Sequence, residues 1–430
     1  MLSNVLSKWM HARALVLLGS LAAFFLSAAA QAAPVTVRMI QFVRSQEAAW
    51  QARVVERFHA AHPDIHIELI STAGSDLNNK MLTLLAGGEP LDIGYHDPYQ
   101  ILAWADQGIV RDLSPYLARD GEVFDAFFPP LLELYAVGSR RYGVPIDLQV
   151  QALFYSEEAF ATAGLRPPWE GMRWDDVAAF GQKLVVDSND DGVIERWAIR
   201  FPQFWHWWSL LWHFGASFFD DPSQPTRVTA DSIEMRNALA FLHQLVQEQR
   251  IMSPRTIRGV TSVNLVQERS IAMAVGNSLY MQDMVRLSGD VPWDVSRLPY
   301  GPHGNAAWFN ALGWFLFEAA PHPDAAWQVI TFFSSEEAMR LSVEMRGTLV
   351  PHRRITQEVW PRQWDAPRRR HVFVDAIGTA RGLPLVYGEG IDAIVQGIYA
   401  VADGAAPIPQ VIEDWRTRLG AWLAERNRIN

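Results

Sequence analysis

The alternation of apolar and polar positions predicts short strands separated by helices. Positions 35–42 alternate with a period of two, which is typical of a β-strand with one buried face. Positions 50–61 instead repeat apolar residues every three or four places, as in an amphipathic helix, and Pro63 follows. The same patterns predict further strands at 65–69, 92–96 and 312–317, and helices at 77–86, 98–107 and 232–249. Such alternation indicates βαβ units with a mainly parallel sheet.

The N-terminus has the pattern of an export signal. Lys8 and Arg13 precede an apolar stretch, 14–30, which ends in the small-x-small pattern of 30–32. We expect residues 1–32 to be a signal peptide that is cleaved on export to the periplasm, with Ala33 as the mature start. A retained membrane anchor is the alternative. The chain has no cysteine, which excludes a lipid anchor on an N-terminal cysteine.

Composition narrows the class of partner. The 430 residues include no cysteine, so the stability of an exported chain would come from core burial without disulfides. The formal net charge of −10 disfavours nucleic acid or an anionic membrane surface as a partner. Beyond position 33, no stretch approaches the roughly 20 apolar residues of a spanning helix. We expect a monomer.

Seven short motifs follow one another along nearly the whole mature chain. They are Phe58–Ile65, Leu85–Ile93, Asp106–Leu113, Tyr142–Pro145 with Leu153–Ser156, Arg269–Met273, Leu298–Pro302 and His322–Trp327. In this order they resemble landmarks of the extracellular solute-binding proteins of ABC importers, in the group that includes maltose-binding protein. Two positions depart from the pattern: Ser156 replaces the usual Asn, and Tyr280 stands where many relatives have Trp.

The resemblance implies a type II periplasmic binding protein fold. Its two α/β lobes each have a mainly parallel sheet with helices on both faces, and the ligand lies in the cleft between them. By this analogy the N-terminal lobe comprises 33–147 plus about 298–338, and the C-terminal lobe about 148–297 plus 339–430. The chain is expected to cross between the lobes near 147–151, 295–299 and 339–346.

An aromatic cluster is the most unusual local feature. The chain has 18 Trp, and Phe204-Trp205-His206-Trp207-Trp208 is followed by Trp212. Such a cluster suits a packed core, a membrane belt or a stacking surface, and the missing spanning segment disfavours the belt. Aromatic planes complement the C–H faces of a sugar. We therefore expect one stripe, Phe204, Trp208 and Trp212, to pack inside, and one or more of Trp205, Trp207 and Trp208 to contact ligand.

Further candidate ligand contacts come from the ends of predicted strands. Asp97 resembles the acid of a maltose-binding-type His-Asp pair, although it also suits an N-cap before Pro98. Trp314 fits a core position as well as a stacking one, and Arg346 fits a rim contact as well as a surface charge. The remaining polar candidates are Gln41, Arg44, Gln149 and Asn277.

Other chemistries have weaker support. Asp187–Gly192 resembles the opening of a calcium loop, but Ala198 stands where a bidentate Glu belongs, so an acidic turn is favoured. The adjacent pairs Asp220-Asp221 and Glu157-Glu158 project in different directions, unlike glycosidase carboxylates. We expect no catalytic residue, no metal and no cofactor.

The sequence favours a binding protein that closes by a hinge on a mono- or oligosaccharide and delivers it to permease subunits of an ABC importer. The alternatives are a periplasmic glycosidase or lyase, a non-sugar solute such as a polyol-phosphate, and a scaffold that binds another protein.

Overall fold

The computed structural model describes residues 34–42, 45–72, 76–222, 224–254, 262–365, 367–384 and 386–429. The expected signal peptide and Arg44 lie outside these ranges. The strands are β1 (Val35–Phe42), β2 (Ile65–Thr72), β3 (Ile93–His96), β4 (Ala136–Val137), β5 (Arg140–Arg141), β6 (Val144–Pro145), β7 (Gln149–Ser156), β8 (Trp197–Arg200), β9 (Ile271–Asn277), β10 (Trp293–Ser296), β11 (Phe309–Asn310) and β12 (Gly313–Leu316).

Helices connect and cover these strands. They are α1 (Ser45–Ala61), α2 (Leu77–Ala86), α3 (Pro98–Asp106), α4 (Ser114–Asp120), α5 (Pro129–Glu133), α6 (Glu157–Thr162), α7 (Trp174–Phe180), α8 (Trp207–His213), α9 (Ile233–His243), α10 (Tyr280–Leu287), α11 (Pro323–Phe333), α12 (Glu336–Arg346), α13 (His371–Ala376), α14 (Glu389–Ala402) and α15 (Ile408–Ile429). Within the described ranges, no helix has the length and apolarity needed to cross a membrane.

The first sheet has the strand order β2-β1-β3-β12-β6. The parallel pairing of β1 with β2 extends over both strands, with Val37 opposite Ile67. Both of these side chains are buried, which confirms the strands predicted from the period of two. We call this sheet and the helices packed on it the first lobe.

The second sheet has the order β10-β7-β9-β8, and β11 pairs with the start of β7. Every residue of β7 is buried, since this strand lies at the centre of the second lobe. Both sheets are mixed, whereas mainly parallel sheets were expected. The reason is that β12 and β7, which follow crossings, run antiparallel to β3 and β9 respectively.

The chain passes between the two sheets more than once. The first passage separates β6 from β7. The second separates β11 from β12, which is later than the expected 295–299. The reason is that 300–304 still packs on α8, since the backbone N–H of His303 donates to the carbonyl of His213. A third follows α12, where Leu349 forms a bridge with Leu148.

Helix α12 packs on α1 of the first lobe, although the residues from 339 onwards were expected in the C-terminal lobe. The indole Nε1 of Trp50 in α1 donates to the carbonyl of Ala338 at 3.1 Å. Ser335 caps the start of α12 by accepting from the backbone N–H of Ala338, and Gly347 ends it with φ of 61°. The left-handed conformation of Gly347 turns the chain out of the helix towards the third passage.

Candidate functional site

A cavity of about 570 Å³ lies between the two sheets. We call it the main cavity. The first lobe contributes Asp97 and Tyr99 at the start of α3, and Leu312 just before β12. The second lobe contributes the other lining residues, which are Gln149, Gln203, Trp205, Asn277, Leu279, Tyr280, Asp283, Trp308, Asn310 and Leu383. A molecule in this cavity therefore contacts both lobes.

Two polar contacts hold the Asp97 side chain at the N-terminus of α3. Its Oδ1 accepts from the backbone N–H of Gln100 at 3.0 Å, so the residue caps the helix. Its Oδ2 lies 2.8 Å from Nδ1 of His96. Burial by itself raises the pKa of Asp97, but the His96 charge and hydrogen bond, with the N–H groups of Gln100 and Tyr99, lower it below its usual value. The carboxylate is therefore an ionised acceptor on the cavity wall.

The lowered pKa of Asp97 predicts a pH dependence of stability. Because the folded-state pKa is below the unfolded one, the stabilisation is present above the unfolded pKa and is lost as pH falls through the folded pKa. In Asp97→Asn the helix cap is retained and the charge is removed. We expect a small loss of unfolding free energy, below about 1 kcal/mol at about pH 6, because the side chain is 30% exposed. Urea titrations should show this difference shrinking towards about pH 3.

The control for this titration is Asp324→Asn, at an exposed carboxylate whose partner is Arg119. Its effect should stay small across the same pH range. A difference between wild type and Asp97→Asn that grew on acidification would contradict the lowered pKa.

Aromatic rings form one wall of the main cavity. The rings of Trp205 and Trp308 are stacked, with centroids 6.3 Å apart and an interplanar angle of 22°. His206 lies behind them, with its ring 6.3 Å from Trp308 and 6.5 Å from Tyr280. Burial lowers the pKa of His206 to about 3, so this imidazole is neutral. The wall is therefore uncharged, and the buried His206 ring packs against it.

Amide side chains provide hydrogen-bonding groups beside the rings. Gln149 and Asn310 are paired through β7 and β11, and both are buried. Oδ1 of Asn310 has no hydrogen-bond partner within the described part of the chain. Asn277 uses its Oδ1 to accept from the backbone N–H of Leu279 at 3.0 Å. A buried acceptor without a partner is costly, so the Asn310 amide is suited to a ligand hydroxyl.

Tyr99 lies where the two lobes meet. Its hydroxyl faces the Trp308 indole and the backbone of Leu383, without a hydrogen bond of normal geometry to any described residue. Burial, followed by the charge of Asp97, raises the pKa of Tyr99, so the hydroxyl keeps its proton and can donate as well as accept. This side chain is the first-lobe counterpart of the aromatic wall.

The other tryptophans proposed for the site have different positions. Trp207 is 4% exposed and is stacked on Phe201 with centroids 4.9 Å apart. Trp208 is 1% exposed and packs on Trp212 and Phe218, away from the main cavity. Trp314 is fully buried between Tyr95 and Phe333 in the core of the first lobe. Of the three candidates in the aromatic cluster, only Trp205 lines the main cavity.

Two polar candidates are also buried away from the main cavity. Gln41 is fully buried and its amide pairs with the amide of Gln51 at 2.6 Å. Arg346 is 2% exposed and bonded to Glu47, so it is neither a rim contact nor a surface charge. The main cavity therefore brings together four of the sequence candidates, Asp97, Gln149, Trp205 and Asn277.

Several lining residues were missed by the sequence patterns. Trp308 and Asn310 are two positions apart on one extended segment, and this spacing is the only local signal that both face the same side. Leu383 follows no motif. It reaches the site because the carbonyl of Arg381 accepts from the backbone N–H of Phe309 at 3.0 Å. The other lining residues that were not candidates are Tyr99, Gln203, Leu279, Tyr280, Asp283 and Leu312.

The acidic loop at Asp187–Gly192 uses its side chains internally. Asp187 accepts from the backbone N–H of Gly192 at 3.0 Å, and Asp191 accepts from that of Val193 at 2.8 Å. In the part of the chain that the structure describes, no group of three or more His, Cys, Asp or Glu side chains is arranged to hold a metal ion.

The charge of the main cavity is acidic. Two carboxylates, Asp97 and Asp283, line it, and none of its described lining residues is Lys or Arg. Asp283 is bonded to Arg286 at 2.9 Å, one turn along α10. An anionic solute would lack a cationic partner here, whereas hydroxyl groups can donate to the carboxylates.

Known proteins are similar to this chain in sequence. A family model described as bacterial extracellular solute-binding protein matches residues 44–340. A putative binding protein of Brucella abortus is 19% identical over 330 residues, which are 75% of this chain and 77% of that protein. The lactose-binding protein of Rhizobium radiobacter is 23% identical over 296 residues, or 63% and 64% of the two chains.

The architecture also resembles that of a solved structure. This is an ABC substrate-binding protein of Listeria monocytogenes in complex with cycloalternan. It superposes with a TM-score of 0.79 at 19% identity, covering 91% of this chain and 99% of that one. The fold is thus the two-lobed fold of type II periplasmic binding proteins. Because the family model covers well over half of the residues, this chain belongs to the family of bacterial extracellular solute-binding proteins.

Proposed function

We propose that this protein is the substrate-binding component of an ABC importer and that it binds a neutral carbohydrate between its lobes. The observation that carries the proposal is the main cavity itself. It combines the stacked indoles of Trp205 and Trp308 with the hydrogen-bonding groups of Asp97, Gln149 and Asn310. Sugars present C–H faces to aromatic planes and hydroxyls to carboxylates and amides.

The acidic lining favours a neutral solute over a phosphorylated one. A phosphate group is bound by arginine, lysine or helix N-termini, and the main cavity has no basic lining residue among those described. The N-terminus of α3 does point here, but the Asp97 carboxylate already occupies it. A polyol-phosphate is therefore disfavoured.

The same carboxylate is unsuited to be the general acid of a glycosidase. A glycosidase needs one carboxylic acid that is protonated near neutral pH, which requires a raised pKa. The pKa of Asp97 is lowered instead, so this group accepts hydrogen bonds and holds no proton to give to a leaving group. Binding without turnover is the function that we propose.

Ligand binding and lobe closure are coupled in this proposal. Asp97 and Tyr99 belong to the first lobe, whereas Trp205, Trp308 and Asn310 belong to the second. A solute that contacts both sets binds the closed arrangement more tightly than an open one, and so shifts the population towards closure. The closed form then delivers its solute to the permease subunits in the membrane. The family and the export pattern of residues 1–32 support a periplasmic location.

The test is a panel of carbohydrates measured by calorimetry and by thermal unfolding of the purified mature chain. A cognate sugar at 100 times its Kd should raise the free energy of unfolding by about 2.7 kcal/mol. Polyol-phosphates and amino acids form the comparison panels. Stabilisation by these alone would overturn the neutral-carbohydrate proposal, and release of a sugar product during incubation would overturn the non-catalytic one.

A further inference from the structure

A hydrogen bond between two side chains joins the lobes at the end of α3 that is far from the main cavity. The Tyr387 hydroxyl donates to Oδ2 of Asp106, which is 281 positions away in the sequence. Asp106 is the last residue of α3 in the first lobe. At a rise of about 1.5 Å per residue, it lies about 14 Å along the helix from Asp97. Neither partner lines the main cavity.

The second lobe holds the ring of Tyr387 in place. This ring meets Trp422 of α15 edge-on with centroids 5.8 Å apart, and Trp422 packs on Phe219 at 5.6 Å. Gly388 follows with φ of 55°, a conformation that favours glycine, and α14 begins at the next residue. Gly390 lies so close to α15 that an added Cβ would be 3.1 Å from the Trp422 indole. Tyr387 therefore moves with the second lobe and Asp106 with the first.

Asp106 has an unfavourable position within its own helix. The C-terminal end of a helix carries partial negative charge, which disfavours a carboxylate and favours a basic side chain. The last turn of α3 has no basic residue and ends with Asp106. The donor that this carboxylate receives comes from the other lobe. An aspartate here is thus unfavourable for α3 alone and favourable for the contact between the lobes.

Tyr387 keeps its proton and is the donor in this contact. Burial raises the pKa of its hydroxyl, and the hydrogen bond to Asp106 and the charge of that carboxylate raise it further. A hydrogen bond to a charged acceptor is stronger than one between neutral groups. Both side chains are partly buried, which reduces the competition from water.

Helix α3 meets the second lobe at two places. Near its start, Tyr99 faces the backbone of Leu383 at the main cavity. At its end, Asp106 meets Tyr387. A solute in the main cavity would connect the lobes at the first place, whereas the protein connects them by itself at the second. Separation of the lobes breaks the second contact, so its free energy belongs to the closed arrangement alone.

We propose that the Tyr387–Asp106 hydrogen bond is a latch that favours closure of the lobes before solute binds. Through it, both residues raise the affinity for solute without contacting the solute. This inference rests on the proposed function, in which the lobes close around a carbohydrate, and adds two residues that set the closure equilibrium. Apparent affinity scales with the fraction of molecules that are competent to bind. Loss of the latch should therefore weaken binding by the factor by which it lowers the closed population.

The test measures lobe closure without solute, by double electron–electron resonance between nitroxide labels. The chain has no native cysteine, so Lys80→Cys on α2 and Lys183→Cys on the second lobe, both at exposed positions, take one label each. Part of the labelled protein should show the closed distance. Tyr387→Phe keeps the ring and removes the donor, and Asp106→Ala removes the acceptor. Each should lower the ratio of closed to open molecules by about tenfold, and the double variant should lower it no further.

Two further measurements distinguish a latch from a structural role. With a cognate sugar, both variants should bind about tenfold more weakly, mainly through faster dissociation. Asp106→Ala should not lower the thermal unfolding midpoint, because it removes a carboxylate from the negative end of α3. The control is Tyr116→Phe, at a half-buried tyrosine whose ring packs on Trp327 within the first lobe. This control should change neither lobe distance nor affinity.

The outcomes separate this inference from the function on which it rests. A labelled protein with no closed population, or a population that Tyr387→Phe leaves unchanged, would overturn the latch while the carbohydrate function stands. If no carbohydrate binds but the closed population falls in both variants, the carbohydrate function fails and the latch stands. A lower unfolding midpoint with unchanged lobe distances would make the pair a structural contact and overturn the latch.

Discussion

Replacing Glu47 by glutamine is expected to lower the free energy of unfolding by about 3–5 kcal/mol. Oε1 of Glu47 lies 3.1 Å from Nη2 of Arg346, whose side chain is 2% exposed. The guanidinium also contacts Ser342 and lies 4.7 Å from the Trp50 ring centroid, so it is enclosed by α1 and α12. Glutamine keeps the shape but leaves the buried charge without its carboxylate. The urea midpoint of the mature chain measures the loss.

The matched control lies on the same two helices. Glu337 of α12 is bonded to Arg57 of α1, but its side chain is 57% exposed. Because solvent screens an exposed pair, Glu337→Gln should change the free energy of unfolding by less than about 1 kcal/mol. Equal effects of the two substitutions would mean that burial of the Glu47–Arg346 pair is not what stabilises the contact between the helices.

Replacing Trp205 by alanine is expected to weaken carbohydrate binding by about ten- to hundredfold. The indole lines the main cavity and stacks on Trp308, so its loss removes an apolar plane on which the proposed solute rests. Trp205 is only partly buried, so the unfolding transition should change little. Calorimetry with a cognate sugar, beside thermal unfolding of the free protein, measures the two effects separately.

Trp207→Ala provides the opposite pattern two positions away. Trp207 is 4% exposed and stacks on Phe201, so its truncation leaves a cavity in the core and should cost about 3–5 kcal/mol of stability. Binding by the fraction that remains folded should be retained. If Trp207→Ala lost affinity at unchanged stability and Trp205→Ala did the reverse, our assignment of the two indoles would be wrong.

The elements were predictable wherever a local period determined them. The alternation at 35–42 predicted the strand Val35–Phe42. The spacing before Gly108 predicted a helix at 98–107, and the structure has α3 at Pro98–Asp106. The second passage was predicted too early because a tertiary contact determines its position. Gly301 approaches His213 so closely that an added Cβ would lie 2.3 Å from the His213 carbonyl oxygen, which holds this segment on the second lobe. No pattern within 295–310 reveals that contact.

The site was predictable only in part, for a related reason. Asp97, Gln149 and Asn277 occur at strand ends, where the family resemblance directs attention, and the structure places them on one cavity. Trp308 and Leu383 reach it through pairing of two distant segments, 307–309 and 381. Composition did not identify the indoles that line the main cavity, because Trp207 and Trp208 of the aromatic cluster are almost fully buried in the core. Whether an indole is buried depends on neighbours that are distant in the sequence.

The central position of β12 in the first sheet has a consequence for folding. This strand lies between β3 and β6, yet it follows them in the sequence by well over a hundred residues. Until Gly313–Leu316 has been synthesised, β3 and β6 are edges with unpaired backbone groups, and the first sheet is incomplete. Such non-local pairing delays folding relative to synthesis. A fragment that ends before Gly313 should therefore not fold as an independent first lobe. During synthesis, the first sheet stays incomplete until most of the chain has been made.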